Sequence, residues 1–129
     1  MAALSDSARD LIDANSFATV GTIQPDGQPQ LSLVWVARDG DDLIFSTLEG
    51  RRKHRNLVRD PRVTVLITLP EKPYAYVEIR GTATMTTEGG DKLIDDLSRK
   101  YTGQPYGSDV PGAVRVIVRV SAQHIVEHG

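Results

Sequence analysis

The feature that most constrains this chain is a set of short segments in which apolar and polar residues alternate. The clearest of them runs from Tyr74 to Thr86, and its residues predicted to face a core are Val77, Ile79, Gly81, Ala83 and Met85. A period of two places one side of an extended strand against a core and the other side towards solvent. The alternation therefore predicts a mainly β protein.

Five further segments rich in β-branched residues are predicted to be strands. They are Phe17 to Ile23, Gln30 to Arg38, Leu43 to Thr47, Arg62 to Leu69 and Val114 to Val120. The turn residues between them, such as Pro25-Asp26-Gly27, close hairpins because proline presets φ and glycine accepts a positive φ. Connections this short favour antiparallel pairing. We predict a six-stranded antiparallel split β-barrel, because closure hides strand edges that would otherwise be exposed.

Three short helices complete the pattern. Ser7 is the expected N-cap of the first helix. The second runs from Arg51 to Arg59 and stops before Pro61, which cannot continue a helix. The third runs from Glu88 to Tyr101 and is followed by a loop rich in glycine and proline, Gly103 to Gly112.

Length and composition limit the class of protein. With 129 residues, 40% of them apolar and 25% charged, the chain is expected to be one domain over residues 1–129. It has no cysteine, which excludes disulfides and thiolate metal sites. No apolar run reaches the ~20 residues of a membrane helix, and no signal peptide is visible at the start. We expect a cytoplasmic protein.

The basic residues are concentrated in one place. Of the 15 lysines and arginines, six lie between Arg51 and Arg62, opposed there only by Asp60, although the net charge of the chain is −2. An acidic protein with one cationic segment is suited to hold an anion at a defined place, whereas a nucleic-acid-binding protein usually has a broad basic face. Only 5% of the residues are aromatic, so the chain has few side chains on which the bases of a single strand could stack. This disfavours an RNA-binding barrel.

The stretch from Phe45 to Leu57 combines the components of a phosphate site. Hydroxyl side chains end a strand, Gly50 follows, and a helix rich in cations begins. Free amides and the helix dipole at such a helix start favour an anion. The alternative is an ordinary solvated basic helix. In a helix, His54 shares a face with Leu57 and Val58 and is predicted to pack towards the core, with Arg51 and Arg55 beside it.

Three separated motifs carry a resemblance to a known family. Pro25 to Ser32, Arg51 to Pro61 and Tyr76 to Thr84 resemble the split-barrel flavin-binding family typified by pyridoxamine 5'-phosphate oxidase, and most closely its actinobacterial branch that uses the deazaflavin coenzyme F420. The resemblance covers nearly the whole chain. It implies a homodimer with two cofactor sites at the subunit interface. The chain lacks the extended C-terminal substrate region of the pyridoxamine phosphate oxidases, which argues against vitamin B6 oxidation.

The resemblance also implies a set of cofactor-binding residues. Those expected at the phosphate end are Ser46, Thr47, Arg51, Lys53, Arg55 and Asn56. Those expected along the ring system are Gln30, Leu31, Ser32 and Leu33, with Tyr74 and Tyr76 closing the pocket. Read from the residues alone, Ser46 and Thr47 could equally be strand-end residues that bond a turn.

Other aromatic and histidine residues are not predicted to bind a ligand. Trp35 is expected in the core or at a subunit interface, and His124 and His128 are expected to face solvent. No spacing predicts a metal site, and no acid–base pair is evident, so no catalytic side chain is named.

The predicted activity is hydride transfer from reduced F420 to a small, conjugated, electron-poor substrate such as a quinone, an enone or a bilin-like tetrapyrrole. The alternatives are an FMN-dependent oxidase or reductase on the same fold, and a non-catalytic carrier of flavin, deazaflavin or haem.

Overall fold

A computed structural model describes residues 2–129 as a curled antiparallel sheet with three helices. The helices are α1 (Asp6–Asp13), α2 (Arg52–Arg59) and α3 (Gly90–Thr102). The strands are β1 (Phe17–Ile23), β2 (Pro29–Val34), β3 (Val36–Asp39), β4 (Asp42–Leu48), β5 (Arg62–Leu69), β6 (Lys72–Thr86) and β7 (Arg115–His128).

The strand order is β2-β1-β5-β6-β7-β4-β3, and every pairing is antiparallel. The two edge strands, β2 and β3, are joined by Trp35 alone. Because consecutive Cα atoms lie about 3.8 Å apart, the two edges must approach each other at this point. The sheet is therefore curled into the predicted split barrel.

The prediction of six strands was wrong, because the segment from Gln30 to Arg38 is two strands and not one. Its first half pairs with β1 and its second half pairs with β4, at opposite edges of the sheet. Trp35 lies between them and stacks on Tyr101 of α3, with ring centroids 5.6 Å apart. The alternation of side chains continues through Trp35, so the sequence does not show that the predicted strand divides there. The division is visible only in the change of partner strand from β1 to β4.

The core lies inside the curl, where the apolar residues of alternate positions meet. In β6 the predicted inward set is confirmed, with Val77, Ile79, Gly81 and Ala83 buried. A Cβ at Gly81 would lie 2.1 Å from the carbonyl oxygen of Ser121, so this position requires glycine. The register between β6 and β7 shifts at the same point, which lets the long strand bend around the core.

The helix boundaries differ from the predictions by a few residues. Ser5, and not Ser7, caps α1, because its hydroxyl accepts the amide hydrogen of Ala8 at 3.1 Å. The second helix starts one residue later than predicted, with Arg51 at its N-cap. The third starts at Gly90, after Gly89 with a positive φ of 80°.

The last strand is longer than predicted and begins one residue later. β7 continues to His128, because its second half pairs with β6 as far as Tyr76. Val114 precedes the strand and is exposed. None of the helices among residues 2–129 is long and apolar enough to cross a membrane.

Candidate functional site

The first backbone amides of α2 are free hydrogen-bond donors. The chain leaves β4 through Gly50, whose φ of 90° suits glycine, and Arg51 caps the helix without a side-chain hydrogen bond. The half-buried His54 accepts the amide hydrogen of Gly50 on Nδ1 at 3.0 Å and closes the turn. The first helical amides therefore remain available to an anion.

The cations from Arg51 to Arg59 differ from the other arginines in forming no ion pair in the described part of the chain. Every arginine outside this segment forms an ion pair with an aspartate or glutamate. Among residues 2–129, no ion pair involves Arg51, Arg52, Lys53, Arg55 or Arg59. Partial burial, and then the charge of Arg51, lower the pKa of Lys53 below its usual value. Lys53 is partly removed from water and Arg51, Arg52, Arg55 and Arg59 are exposed, and a cluster of unpaired cations of this kind attracts an anion.

Asn56 fastens α2 to the sheet. It is fully buried, and its amide donates to the hydroxyl of Thr22 at 3.0 Å. That hydroxyl donates in turn to Oε1 of Gln30 at 3.2 Å, while Arg59 donates to the carbonyl oxygen of Ile23. Asn56 and Gln30 thus hold the cationic helix against β1 and β2.

Ser46 and Thr47, predicted to bind one phosphate together, point to opposite faces of β4. Thr47 faces the barrel interior, is fully buried, and has no hydrogen-bond partner for Oγ1. Ser46 faces the other way, and its hydroxyl accepts a hydrogen bond from Arg115 at 3.3 Å. Only one of these side chains can therefore be directed at a given phosphate. Of the two hydroxyls, that of Thr47 has no hydrogen-bond partner, whereas that of Ser46 is bonded to Arg115.

The four residues expected along the ring system also alternate. Gln30 and Ser32 are partly buried, whereas Leu31 and Leu33 are 64% and 69% exposed on the outer face of β2. Phe17 and Leu66 are exposed on the same face of the neighbouring strands β1 and β5. The outer face of β2, β1 and β5 is therefore an apolar surface, which we call the β2 face.

Tyr74 and Tyr76 lie far from α2 within one chain. Tyr76 pairs with Thr68 of β5, whereas Thr86, at the far end of β6, pairs with Ile117, which also pairs with Ser46. Tyr76 and Thr86 are ten residues apart on β6, about 33 Å of extended strand. One chain does not bring all the predicted site residues together.

A buried arginine next to the site was missed by the sequence reasoning. Arg115 alternates with the buried Val116 and Val118 of β7, but its own side chain is only 6% exposed and pairs with Asp109 at 2.8 Å. It also donates to the hydroxyl of Tyr106 at 2.7 Å. These bonds attach the 103–112 loop to the end of β4. The partners lie in an irregular loop, so no periodic signal in the sequence could have revealed them.

Comparison with known proteins identifies the group to which this chain is related. The family model described as pyridoxamine 5'-phosphate oxidase matches residues 4–127. The chain belongs to this family. Its predicted membership is therefore confirmed.

Solved structures agree with the family assignment. One described as an F420 reductase is 27% identical, with a TM-score of 0.84, covering 95% of this chain and 98% of that one. A conserved hypothetical protein of Mycobacterium tuberculosis is also 27% identical, with a TM-score of 0.76 and coverages of 95% and 82%. General stress protein 26 of Bacillus anthracis, at 16% identity, a TM-score of 0.72 and coverages of 95% and 92%, shares the fold. Together these findings support an oxidoreductase of the flavin or deazaflavin split-barrel type.

Proposed function

We propose that the protein is an F420-dependent reductase that transfers a hydride to a small, conjugated, electron-poor substrate. The observation that carries the proposal is the cluster of unpaired cations at the start of α2, in a chain whose other arginines are all paired. A similar solved structure is described as an F420 reductase. The proposed substrate classes are quinones, enones and bilin-like tetrapyrroles.

The residues present fit the anionic tail of such a cofactor. Arg51, Lys53 and Arg55 supply charge, the first amides of α2 supply donors, and the buried Oγ1 of Thr47 lacks a partner. When bound, reduced deazaflavin supplies the hydride. The protein's own contribution is to bind the tail, orient the ring along β2, and exclude water. Asn56 contributes by holding α2 in position.

We further propose that two copies of the chain form a homodimer through the β2 face, with one cofactor site at each end of the interface. Leu31, Leu33, Phe17 and Leu66 are exposed together on this face, and large exposed apolar patches mark interaction surfaces. Two-fold pairing would also bring Tyr74 and Tyr76 of one subunit to the α2 segment of the other. This arrangement completes the predicted site, which one chain leaves divided.

Cofactor binding distinguishes the proposal from its alternatives. We would add oxidised F420 or FMN to the purified protein, follow the fluorescence of Trp35, the one tryptophan of the chain, and record the absorption spectrum after desalting. The proposal expects retention of F420 in preference to FMN, followed by turnover of quinones or enones when the cofactor is reduced. Selective retention of FMN would replace it with an FMN-dependent enzyme. Tight binding without turnover of any acceptor would indicate a carrier.

A further inference from the structure

A cavity of about 550 Å³ lies between α1 and the paired ends of β6 and β7. It contains Tyr76 and His128, whose rings stack with centroids 5.2 Å apart and planes 14° apart. An aromatic wall of this kind suits a planar ligand. The sequence reasoning placed Tyr76 at the cofactor pocket and His128 in solvent. His128 is exposed as predicted, and its stack on Tyr76 adds an imidazole beside the predicted site.

A backbone carbonyl determines which ring nitrogen of His128 carries a hydrogen. Its Nδ1 lies 2.8 Å from the carbonyl oxygen of Tyr74. A carbonyl oxygen only accepts hydrogen bonds, so Nδ1 carries a hydrogen. In the neutral ring Nε2 is then the basic atom, and the ring gains or loses its proton there. An imidazole that exchanges protons at one defined atom beside an aromatic wall has the arrangement of an acid–base residue.

The other histidines lack this arrangement. His124 lies four residues earlier on the same face of β7, is exposed, and takes part in no side-chain hydrogen bond or ring stack among residues 2–129. His54 uses Nδ1 to accept the amide hydrogen of Gly50, which leaves its hydrogen on Nε2. His124 is therefore a matched control for His128.

The charged groups that face the ring come from three elements. Lys72 of β6, Glu127 of β7 and Asp10 of α1 line the cavity with the ring, and Glu78 follows Tyr76 by two residues on the same face of β6. Glu78 is paired with Arg80 at 2.9 Å, and Glu127 accepts the hydroxyl hydrogen of Ser5 at 2.6 Å.

We propose that His128 donates the proton that accompanies hydride transfer to a conjugated carbonyl substrate bound against Tyr76. This inference rests on the proposed function, which supplies the hydride donor. Hydride addition to the β-carbon of an enone forms a C–H bond and moves the C=C electron pair to the oxygen, leaving an enolate. The Nε2–H bond of the imidazolium then breaks, the proton neutralises the enolate, and the neutral ring is recharged from water. Two electrons pass from the reduced deazaflavin to the substrate.

A first experiment needs no turnover. With ¹⁵N-labelled histidine, nuclear magnetic resonance at high pH should show the neutral ring of His128 with its hydrogen on Nδ1 and that of His124 as a mixture of tautomers. Oxidised F420 should shift the His128 resonances and leave those of His124 in place. Equal tautomer mixtures, or equal responses to the cofactor at both rings, would overturn the proposal.

The second experiment compares His128→Gln with His124→Gln, using 2-cyclohexen-1-one as acceptor. For the unaltered protein and His124→Gln, kcat should fall as pH rises, because the proton donor is then lost. In His128→Gln, kcat at pH 6 should be roughly 10²–10⁴-fold lower, and the fall of kcat with rising pH should disappear. If His128→Gln keeps both rate and pH profile, His128 is not the donor although the enzyme assignment stands. If the unaltered protein reduces no quinone or enone, the proposed function itself fails, and this role of His128 fails with it.

Discussion

At the scale of single residues, the ion pairs of residues 2–129 divide the arginines into paired ones, spread over the fold, and unpaired ones, all in or next to α2. Arg119 bonds Asp39 and Asp42, and Arg38 bonds Asp13. In each case, neighbouring elements supply the carboxylate. Between Arg51 and Arg59 no element supplies one, although the chain is acidic overall. The absence of local carboxylates leaves this segment free to neutralise a ligand instead.

The residue-scale prediction concerns Arg51→Ala combined with Lys53→Ala. Charge-assisted hydrogen bonds contribute about 1.5–3 kcal/mol each, so the double variant should bind F420 roughly 100-fold more weakly or worse. Isothermal titration calorimetry measures the affinity. Lys92→Ala with Arg99→Ala removes the same charge from exposed pairs on α3 and should leave affinity near its original value. Equal affinity in both double variants would rule out the α2 site.

At the scale of elements, the 103–112 loop is ordered by one buried side chain. Arg115 forms two hydrogen bonds with the Asp109 carboxylate, at 2.9 and 2.8 Å, and its guanidinium lies 5.1 Å from the ring centre of Tyr106. The hydrogen bond from Arg115 is the main cause of a lowered pKa at Asp109. The same arginine donates to Ser46 beside the α2 turn. The loop and the end of β4 are therefore held together.

Arg115→Met should destabilise the fold, because it leaves the Asp109 carboxylate without its partner in a poorly solvated position. Because the Asp109 side chain is 19% exposed, losing these charge-assisted hydrogen bonds should cost about 1.5–3 kcal/mol, measured as the free energy of unfolding in urea. Arg119→Met is the matched control on the same strand, since the Arg119 side chain is 39% exposed. Exposed pairs contribute about 0–1 kcal/mol. Similar losses in the two variants would show that Arg115 is an ordinary surface arginine.

At the scale of the whole molecule, one sheet presents two different surfaces. Its inner face is filled by the core, and α3 packs against the β4 and β7 side of its outer face. The β2 face is left uncovered, with two leucines more than 60% exposed. A stable dimer needs about 1,200–2,000 Å² of buried surface, and an apolar face spanning three strands is the place where this chain can provide it.

Leu33→Glu should therefore convert the proposed dimer to monomers, because a carboxylate would be buried near its own copy across a two-fold axis. Sedimentation equilibrium measures the mass. Val110→Glu is the matched control, because Val110 is 75% exposed but lies in the 103–112 loop, and it should remain dimeric. A monomeric unaltered protein would remove the proposed interface, and the divided site would then lack Tyr74 and Tyr76.

The sequence by itself determined the features that depend on local pattern. Alternation in β6, the turn at Pro25-Asp26-Gly27 and the stop before Pro61 act over a few residues, so strands, hairpins and the cationic helix were predicted nearly in place. Tertiary structure decided what depends on distant partners. The division of one predicted strand at Trp35, the burial of Arg115 and the stacking of His128 on Tyr76 each require elements that meet only when the sheet curls. A pattern of period two specifies which face a residue takes, but not which other strand lies beside it.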